Sequence, residues 1–311
     1  MQISDLIFKE LLKRGYKLEG KTRIWDVADS KLWYLTPKQA QGFLDLSKTK
    51  GYKKAIIEKE VSLIKGHMKD FVRALPKTSC NIIDLGCGDG QKASLFIKEL
   101  EKHMKIRYCP IDISSYMVSK AAKTIRKMKV GEVLEFKWNI SDFENLNNVT
   151  PLFRDSGFEI HFMMLLGNTL GNFDREDMLH GVKTSMSKDD ILLIGNGLTN
   201  GHQDWTQEYK NPVINKWLIQ IPQQLGLSKD DIEYDVRFLN SRVEELYILK
   251  KDKKIKHLGK TLNFKKGDVV ITAISYKYTK PGFNKILEKF FSKVKIYSDS
   301  QETYALALCK K

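Results

Sequence analysis

The junction between a short apolar run, Asn81–Leu85, and the glycine-rich sequence GCGDG that follows it limits the fold more than any other stretch. A helical pattern comes next, and strand-like and helix-like segments then alternate as far as the apolar run DILLIGNG, which ends at Gly197. Strands that alternate with helices at this spacing predict a parallel sheet covered by helices on both faces. We therefore expect an α/β fold.

The pattern changes after Leu198. Residues 234–278 show the period-two alternation of an antiparallel meander, which cannot continue a layer of parallel strands. The chain then returns to a helical pattern and closes with two strand-like segments, KIYSDS and TYALALCK. We expect the meander to belong to a smaller, separate α+β lobe.

Three glycines, Gly86, Gly88 and Gly90, occupy the turn from the first strand into its helix, and Asp84 precedes them. Glycines at such a turn tolerate a tight backbone and let a ligand approach it closely. A nicotinamide dinucleotide would place a pyrophosphate on the helix N-terminus. S-adenosylmethionine (SAM) has no phosphate and carries a cationic amino-acid end, which a nearby acid favours. The acid before the turn therefore favours SAM.

Acidic residues also end the next two predicted strands. Asp112 follows Gly90 by about twenty residues, where an acid can accept both ribose hydroxyls. Asp142 ends the third strand with Phe143 after it, and this pair can hydrogen-bond and cover an adenine. Three strand-end acids in this order are typical of class I SAM-dependent methyltransferases, and a closing pair of strands with the last reversed resembles the end of their sheet.

The fourth strand ends in LLGNTLGNF, which contains no proline. Methyltransferases that act on planar amines of nucleic acids or proteins usually carry a proline turn here, so a nucleobase or glutamine amine is a poor candidate for the acceptor. Gly167 would keep the wall thin beside the methyl group, and the amide of Asn172 could hold an α-amino group or a carboxylate. Tyr52 is the candidate for orienting the amine and relaying its proton.

These motifs together resemble the histidine-specific, SAM-dependent methyltransferases, typified by the ergothioneine-pathway histidine Nα-methyltransferase. The carrying pieces span nearly the whole chain in order: WDVADSKLW, Tyr52, Glu58, DLGCGDGQK, PIDIS, DF, LLGNTLGNF, ILLIGNGL, EYKNP and KGDVVITAISYKY. The resemblance implies a Rossmann-like SAM-binding methyltransferase domain, residues 52–198 and 277–311. It also implies a substrate-binding lobe, residues 1–51 and 199–276, over that domain.

The resemblance implies roles for individual residues as well. The positions expected at SAM, including those from the glycine turn, are Tyr52, Asp84, Gly86, Gly88, Gly90, Lys92, Asp112, Asp142, Phe143 and Gly167. The positions expected at the amino-acid substrate are Tyr52, Gly167, Asn172, Tyr209, Ser275 and Trp25, the last standing where the family usually has a tyrosine. The implied reaction is N-methylation of the α-amino group of an amino acid or related small amine, with Tyr52 and Asn172 as catalytic residues.

Two positions depart from the family pattern. A glutamate that contacts the histidine ring is expected in the strand that contains Ser275, and this chain has Ala273 there. Gly197 likewise stands where an aspartate is common. An alanine cannot hydrogen-bond an imidazole, and losing a buried polar contact costs roughly 1–3 kcal/mol of discrimination. Ala273 therefore argues against free histidine as the substrate, or it marks a change that removed activity.

Composition bounds the partners. A formal charge of +15 leaves a nucleic-acid partner open, but the lysines are spread along the chain and interleaved with acids, which favours a solvated lysine surface. The sequence predicts no metal site, no membrane span and no secretory signal, so we expect a cytoplasmic protein that acts on a small molecule. Two alternatives stay open: a tRNA, rRNA or protein methyltransferase, and a non-catalytic SAM-binding module. The sequence does not indicate the oligomeric state.

Overall fold

A computed structural model describes residues 3–311. The N-terminal sequence predicts a short amphipathic helix, and its first two residues, Met1 and Gln2, lie outside the described residues. Two compact units are present. The smaller contains residues 3–46 and Gln203–Lys277, and the larger contains Ser47–His202 and Tyr278–Lys311. The sequence placed the corresponding boundaries after residues 51, 198 and 276.

The α-helices of the described chain are short to medium in length. They are α1 Ile3–Arg14, α2 Pro37–Ser47, α3 Lys50–Tyr52, α4 Glu58–Ala74, α5 Gln91–Leu100, α6 Ser115–Arg126, α7 Leu146–Val149, α8 Arg175–Ser185, α9 Trp205–Tyr209, α10 Pro212–Leu218, α11 Gln220–Gln224 and α12 Lys280–Glu288. A π-helical segment, Lys53–Ile57, joins α3 to α4.

The β-strands alternate with helices in the middle of the chain. They are β1 Tyr16–Glu19, β2 Thr22–Asp26, β3 Ser79–Leu85, β4 Lys105–Ile111, β5 Glu132–Val133, β6 His161–Leu165, β7 Ile191–Gly197, β8 Ile232–Leu239, β9 Arg242–Leu249, β10 Lys253–His257, β11 Lys260–Phe264, β12 Val269–Tyr276, β13 Lys293–Ser298 and β14 Tyr304–Lys310. Five of them, β8 to β12, follow one another without a helix.

The larger unit contains a seven-stranded sheet in the order β13-β14-β7-β6-β3-β4-β5. Its strands from β7 to β5 are parallel, and β14 runs antiparallel to both of its neighbours. The central strands β6 and β7 are buried at every residue, as expected where helices cover both faces. The predicted class I methyltransferase sheet, with its reversed last strand, is confirmed.

The third predicted strand is shorter than the sequence indicated. We expected residues 133–141 to be extended, but β5 has two residues and a 3₁₀ turn, Lys137–Asn139, follows it. Main-chain hydrogen bonds still join this region to β4, because Asp112 donates to Asn139 and accepts from Ser141. The segment that contains Asp142 therefore reaches the carboxyl edge of the sheet, although strand β5 itself ends earlier.

The smaller unit contains a five-stranded sheet in the order β1-β2-β12-β9-β8. The sequence predicts a simple antiparallel meander over residues 234–278, and the predicted order of strand pairing is wrong in one respect. Within residues 3–311, strands β10 and β11 pair only with each other. β12 therefore returns to pair with β9 on one side and, in parallel, with β2 on the other. The apolar side of this sheet includes Ile24, Leu246, Val269, Ile271 and Ile274.

No helix within residues 3–311 combines the length and the apolar character that a membrane crossing requires. The four cysteines lie buried as free thiols, as small core residues do.

Candidate active site

The glycine turn after β3 requires glycine at all three positions. Gly86, Gly88 and Gly90 have φ angles of 70°, 55° and 75°, in the left-handed region that other residues seldom adopt. A Cβ atom on Gly90 would lie 3.0 Å from the Cα of Ala121 in α6, whereas one on Gly88 would meet nothing within 4 Å. The turn is therefore packed on one side and open above Gly88.

Asp84, the last residue but one of β3, is buried beneath the turn. Its Oδ2 accepts a hydrogen bond of 2.8 Å from the Tyr108 hydroxyl. Burial raises the pKa of this carboxyl to about 6, an effect that the bond from Tyr108 partly offsets. Asp84 thus lies beneath the turn, and its carboxyl group keeps its proton to a higher pH than an exposed aspartate does.

Asp112 follows β4 and is also buried. Its Oδ1 accepts from the main-chain N–H of Ser114 at 3.0 Å, and its Oδ2 accepts from that of Gly88 at 3.4 Å. Burial raises the pKa of Asp112 to about 7 despite these bonds. Each carboxylate oxygen has a free lone pair, so two further hydroxyl donors would stabilise its charged form.

Phe143 lies against the glycine turn, since its Cζ is 3.5 Å from the Cβ position of Gly86. Its ring centroid is 5.4 Å from that of Phe173, which follows β6. Asp142, just before it, accepts from the main chain of Glu144 at 3.2 Å and begins a short 3₁₀ helix. The structure therefore brings Phe143 into contact with the glycine turn, and Asp142 is the residue directly before it in the chain.

A fully buried carboxylate, Glu60 of α4, lies beside this turn. Its Oε2 is 2.7 Å from Lys92 Nζ. Its Oε1 accepts from the main-chain N–H of Gly167 at 2.8 Å and from the Tyr304 hydroxyl at 2.6 Å. Glu60 therefore joins α4, α5, the end of β6 and β14 at one point.

Two glycines make room for this ion pair. A Cβ atom on Gly167 would lie 2.5 Å from Lys92 Nζ, and one on Gly195 would lie 2.1 Å from Glu60 Oε1. The space beside Gly167 is therefore filled by the Lys92 ammonium. The role of Gly167 as a thin wall beside the transferred methyl group stays a prediction.

The two asparagines of the LLGNTLGNF stretch have different surroundings. Asn168 adopts a left-handed backbone with φ of 67°, and its Oδ1 accepts from the main-chain N–H of Gly197 at 2.9 Å. Asn172 ends a short 3₁₀ helix and is half-buried; its side-chain amide makes no hydrogen bond to any of residues 3–311. Asn168 therefore ties β6 to β7, while the amide of Asn172 is available to a ligand.

Tyr52 is half-buried at the end of α3, directly before the π-helical segment. It lies close enough to Tyr304 to influence that hydroxyl: the pKa of Tyr304 is raised well above its ordinary value by burial, then by Glu60 and Tyr52. Tyr304 thus stands near both Tyr52 and Glu60. π-Helical turns of this kind occur often at functional sites.

In the smaller unit, Tyr209 and Ser275 meet at a buried lysine, Lys277, whose exposed fraction is 3%. Lys277 Nζ donates to the Tyr209 hydroxyl at 2.6 Å and to Ser275 Oγ at 3.0 Å. It also lies 4.6 Å from the ring centroid of Trp205. Burial lowers the pKa of Lys277 to about 7. The structure therefore brings two predicted substrate residues together and adds a cation behind them.

Trp25 lies in a separate cluster of the same unit. Its indole N–H donates to Asp268 Oδ2 at 3.0 Å. Its ring packs against Phe264 and Tyr16, at centroid distances of 4.9 and 5.1 Å. These contacts satisfy the one polar atom of the side chain and give Trp25 a packing role; its part in substrate binding stays a prediction.

Comparison with models of protein families matches residues 41–311 to the family described as "Histidine-specific methyltransferase, SAM-dependent". The chain belongs to this family. The family is one of SAM-dependent methyltransferases, so the cofactor that it implies is SAM.

Individual relatives of this methyltransferase are distant. The "N-methyltransferase fsqC" of Aspergillus fumigatus is 21% identical over 238 residues, which are 73% of this chain and 64% of that protein. The match therefore spans less than two thirds of the relative's length. Among solved structures, a putative methyltransferase from Thermobifida fusca is 11% identical with a TM-score of 0.46, covering 92% of this chain and 94% of that one. A SAM-dependent methyltransferase from Clostridium acetobutylicum is 14% identical with a TM-score of 0.40, covering 78% and 88%.

The residues of the methyltransferase fit SAM. Asp112 offers two carboxylate oxygens for the two ribose hydroxyls, and the open side of Gly88 leaves the main chain approachable. The side chain of Lys92 is 29% exposed despite its bond to Glu60, so its ammonium is also within reach of an anionic group. Lys92 would hold the carboxylate of SAM, and Phe143 would cover the adenine.

Sequence reasoning missed Glu60 and Lys277. The signal for Glu60 was an acid on the apolar side of a helix, three residues after Ile57 and four before Ile64. The signal for Lys277 was a lysine at the end of an apolar strand, two residues after Ser275. Neither pattern alone distinguishes a site residue from an ordinary solvated charge.

Proposed function

We propose that the methyltransferase transfers the methyl group of SAM to the α-amino group of an amino acid or a related small amine. The observation that carries this proposal is the open amide of Asn172. Its 3₁₀ helix, Thr169–Asn172, lies against the glycine turn, since Thr169 Oγ1 is 3.6 Å from the Cβ position of Gly86. An amide with both a donor and an acceptor suits the polar end of an amino acid.

The comparisons support nitrogen as the acceptor atom. The Aspergillus fumigatus relative is described as an N-methyltransferase, and the family description names histidine. The absence of proline between Met163 and Asp174 supports a small amine over the planar amine of a nucleobase.

The amine must be neutral to react. A peptide α-amino group has a pKa of about 7.7–8.0, and desolvation lowers the pKa of an ammonium. SAM, when bound, supplies a methyl group on a sulfonium, which leaves as a neutral thioether. In our proposal the Oδ1 of Asn172 accepts a hydrogen bond from the amine and so directs its lone pair along the transfer axis. Tyr52 orients the same nitrogen and relays the proton that it loses.

The test is methyl transfer from labelled SAM to a panel of amino acids. We expect Asn172→Ala to bind S-adenosylhomocysteine as the wild type does and to lose transfer by at least about a hundredfold. The matched control is Asn147→Ala, an exposed asparagine of α7, which should retain activity. Intact turnover in Asn172→Ala would contradict the proposed role. A wild type that binds SAM tightly and methylates no amine would favour the non-catalytic module.

A further inference from the structure

The position opposite Ala273 in the sheet of the smaller unit is occupied by an acid. Ala273 on β12 pairs with Glu245 on β9 in the antiparallel register. Directly paired residues of antiparallel strands point to the same face, with Cβ atoms about 4.5–5.5 Å apart. A carboxylate is therefore present on the face where the family pattern places one, but it comes from the neighbouring strand.

Glu245 is buried without a partner. Its exposed fraction is 5%, and its carboxylate makes no hydrogen bond or ion pair with any of residues 3–311. Burial raises the pKa of Glu245 to about 8, and only the charge of Lys277 opposes this. Burying a carboxylate without a donor is costly, so such a group points to a ligand that supplies one.

Other buried acids of the same unit are paired. Glu244, the next residue on β9, forms ion pairs with Arg237 and Arg242 on the opposite side of the strand. Asp268 accepts hydrogen bonds from both Arg23 and Trp25. The open state of Glu245 is therefore not a general property of acids in this sheet.

The surroundings of Glu245 suit a zwitterionic ligand. Ser275 lies two residues after Ala273 and so shares its face of β12, and Lys277 lies two residues further, just past the end of that strand. Glu245 also contributes, after burial, to the raised pKa values of Tyr209 and Tyr234, which places it among these groups.

Lys277 is the group of this cluster that can receive an anion. Lys277 donates to both the Tyr209 and Ser275 oxygens, and the Tyr209 hydroxyl donates to Ser275 Oγ at 3.3 Å. An ammonium has three N–H donors, so one donor of Lys277 is left for a carboxylate. The cluster thus offers a cation at one end and an unpartnered acid nearby.

We propose that Glu245 is the residue that selects the substrate's side chain, in place of the glutamate absent at position 273. The acceptor is then an amino acid whose side chain carries an N–H donor or a positive charge, such as an imidazole, while its carboxylate is held by the ammonium of Lys277. This inference rests on the proposed function, and it removes the argument that Ala273 made against histidine.

The experiment compares kcat/KM for histidine with that for leucine, an amino acid without a side-chain donor. Glu245→Met keeps the length of the side chain and removes the acceptor. We expect the histidine-to-leucine ratio to fall at least about tenfold, because a site built for a hydrogen bond discriminates through it. The matched control, Glu233→Met, changes an exposed glutamate of β8 and should leave the ratio unchanged. Unchanged binding of S-adenosylhomocysteine shows that each variant is folded.

A second variant moves the acid across the strand pair. In Glu245→Ala/Ala273→Glu the carboxylate returns to β12 on the same face, so we expect the preference for histidine to recover relative to Glu245→Ala. If Glu245→Met does not fold, this double variant decides: recovery supports the inference, and a folded double variant without the preference overturns it.

The two proposals fail differently. A wild type that methylates no amino acid overturns the proposed function and this inference with it. If the wild type methylates amino acids and Glu245→Met leaves the histidine-to-leucine ratio of kcat/KM unchanged, the inference alone is overturned.

Discussion

Asp112 is subject to opposing demands of stability and cofactor binding. Because its folded-state pKa of about 7 lies above the ordinary value of 3.8, its favourable contribution to folding is complete below about pH 4 and is lost as the pH rises through 7. Asp112→Asn cannot ionise. We expect the free energy of unfolding of this variant, relative to the ligand-free wild type, to rise by on the order of 2 kcal/mol between about pH 5 and about pH 8. Urea denaturation at the two pH values measures this.

The same substitution should weaken binding of S-adenosylhomocysteine if Asp112 accepts both ribose hydroxyls as we propose, since an asparagine offers one acceptor oxygen in place of two. We expect a loss of at least about tenfold by calorimetry. Asp189→Asn, at an exposed position after α8, is the control and should bind normally. Unchanged affinity in Asp112→Asn would rule out our placement of the ribose.

Gly167→Ala should displace Lys92. The φ of Gly167 is 77°, and the added Cβ would lie 2.5 Å from Lys92 Nζ, so strain and a broken ion pair with buried Glu60 act together. We expect the free energy of unfolding to fall by about 2–5 kcal/mol, measured by urea denaturation. Gly181→Ala in α8, where a Cβ meets nothing within 4 Å, should be neutral or slightly stabilising. Equal stability of the two variants would contradict this account.

The residues that sequence could identify are those with a backbone or positional signature. Asp112 follows a strand at a recognisable distance from the glycine turn, and the three turn glycines stand in one motif. The contacts of Glu60 depend on Lys92, 32 residues away, and on Tyr304, 244 residues away. Such partners are set by tertiary packing, which no local pattern encodes.

At the level of elements, long buried strands were predictable and edge elements were not. Strands such as β6 form continuous apolar runs, so their burial is visible in the sequence. The short β5 and the hairpin β10–β11 lie at or outside the sheet edges, where alternation is weak or is satisfied by pairing within the hairpin. The bend from β5 into its 3₁₀ turn, and the return of β12 to β9, therefore appeared only in the structure.

The π-helical segment Lys53–Ile57 sets the direction of Tyr52 relative to α4. Deleting Lys54, which is exposed, would let the segment become regular α-helix and turn the preceding residues by about 100° around the axis. We expect the deletion to remove methyl transfer while the binding of S-adenosylhomocysteine persists within about threefold, both measured on purified protein. Lys54→Ala controls for the lost charge and should stay active. Full activity after the deletion would rule out a role of Tyr52 in methyl transfer.

For the whole molecule, the charge of +15 predicts weak and salt-sensitive attraction to nucleic acid. The lysines are distributed over the chain, and several are paired with acids, for example Lys210 with Asp235 and Lys253 with Asp231. We expect any RNA binding seen at about 50 mM salt to fall at least tenfold by about 200 mM, in a filter or anisotropy assay. Tight binding at the higher salt, or labelled methyl groups on the RNA, would instead support a nucleic-acid substrate.

The chain order of the strands has a consequence for synthesis on the ribosome. In the smaller unit β2 pairs with β12, about 245 residues later, and in the larger unit β14 lies between β7 and β13. Neither sheet can close until the last fifth of the chain has been translated, so apolar edges of β2 and β7 wait for partners through most of elongation. We therefore expect a nascent chain of this protein to need protection of its unpaired strands until β12 and β14 are made.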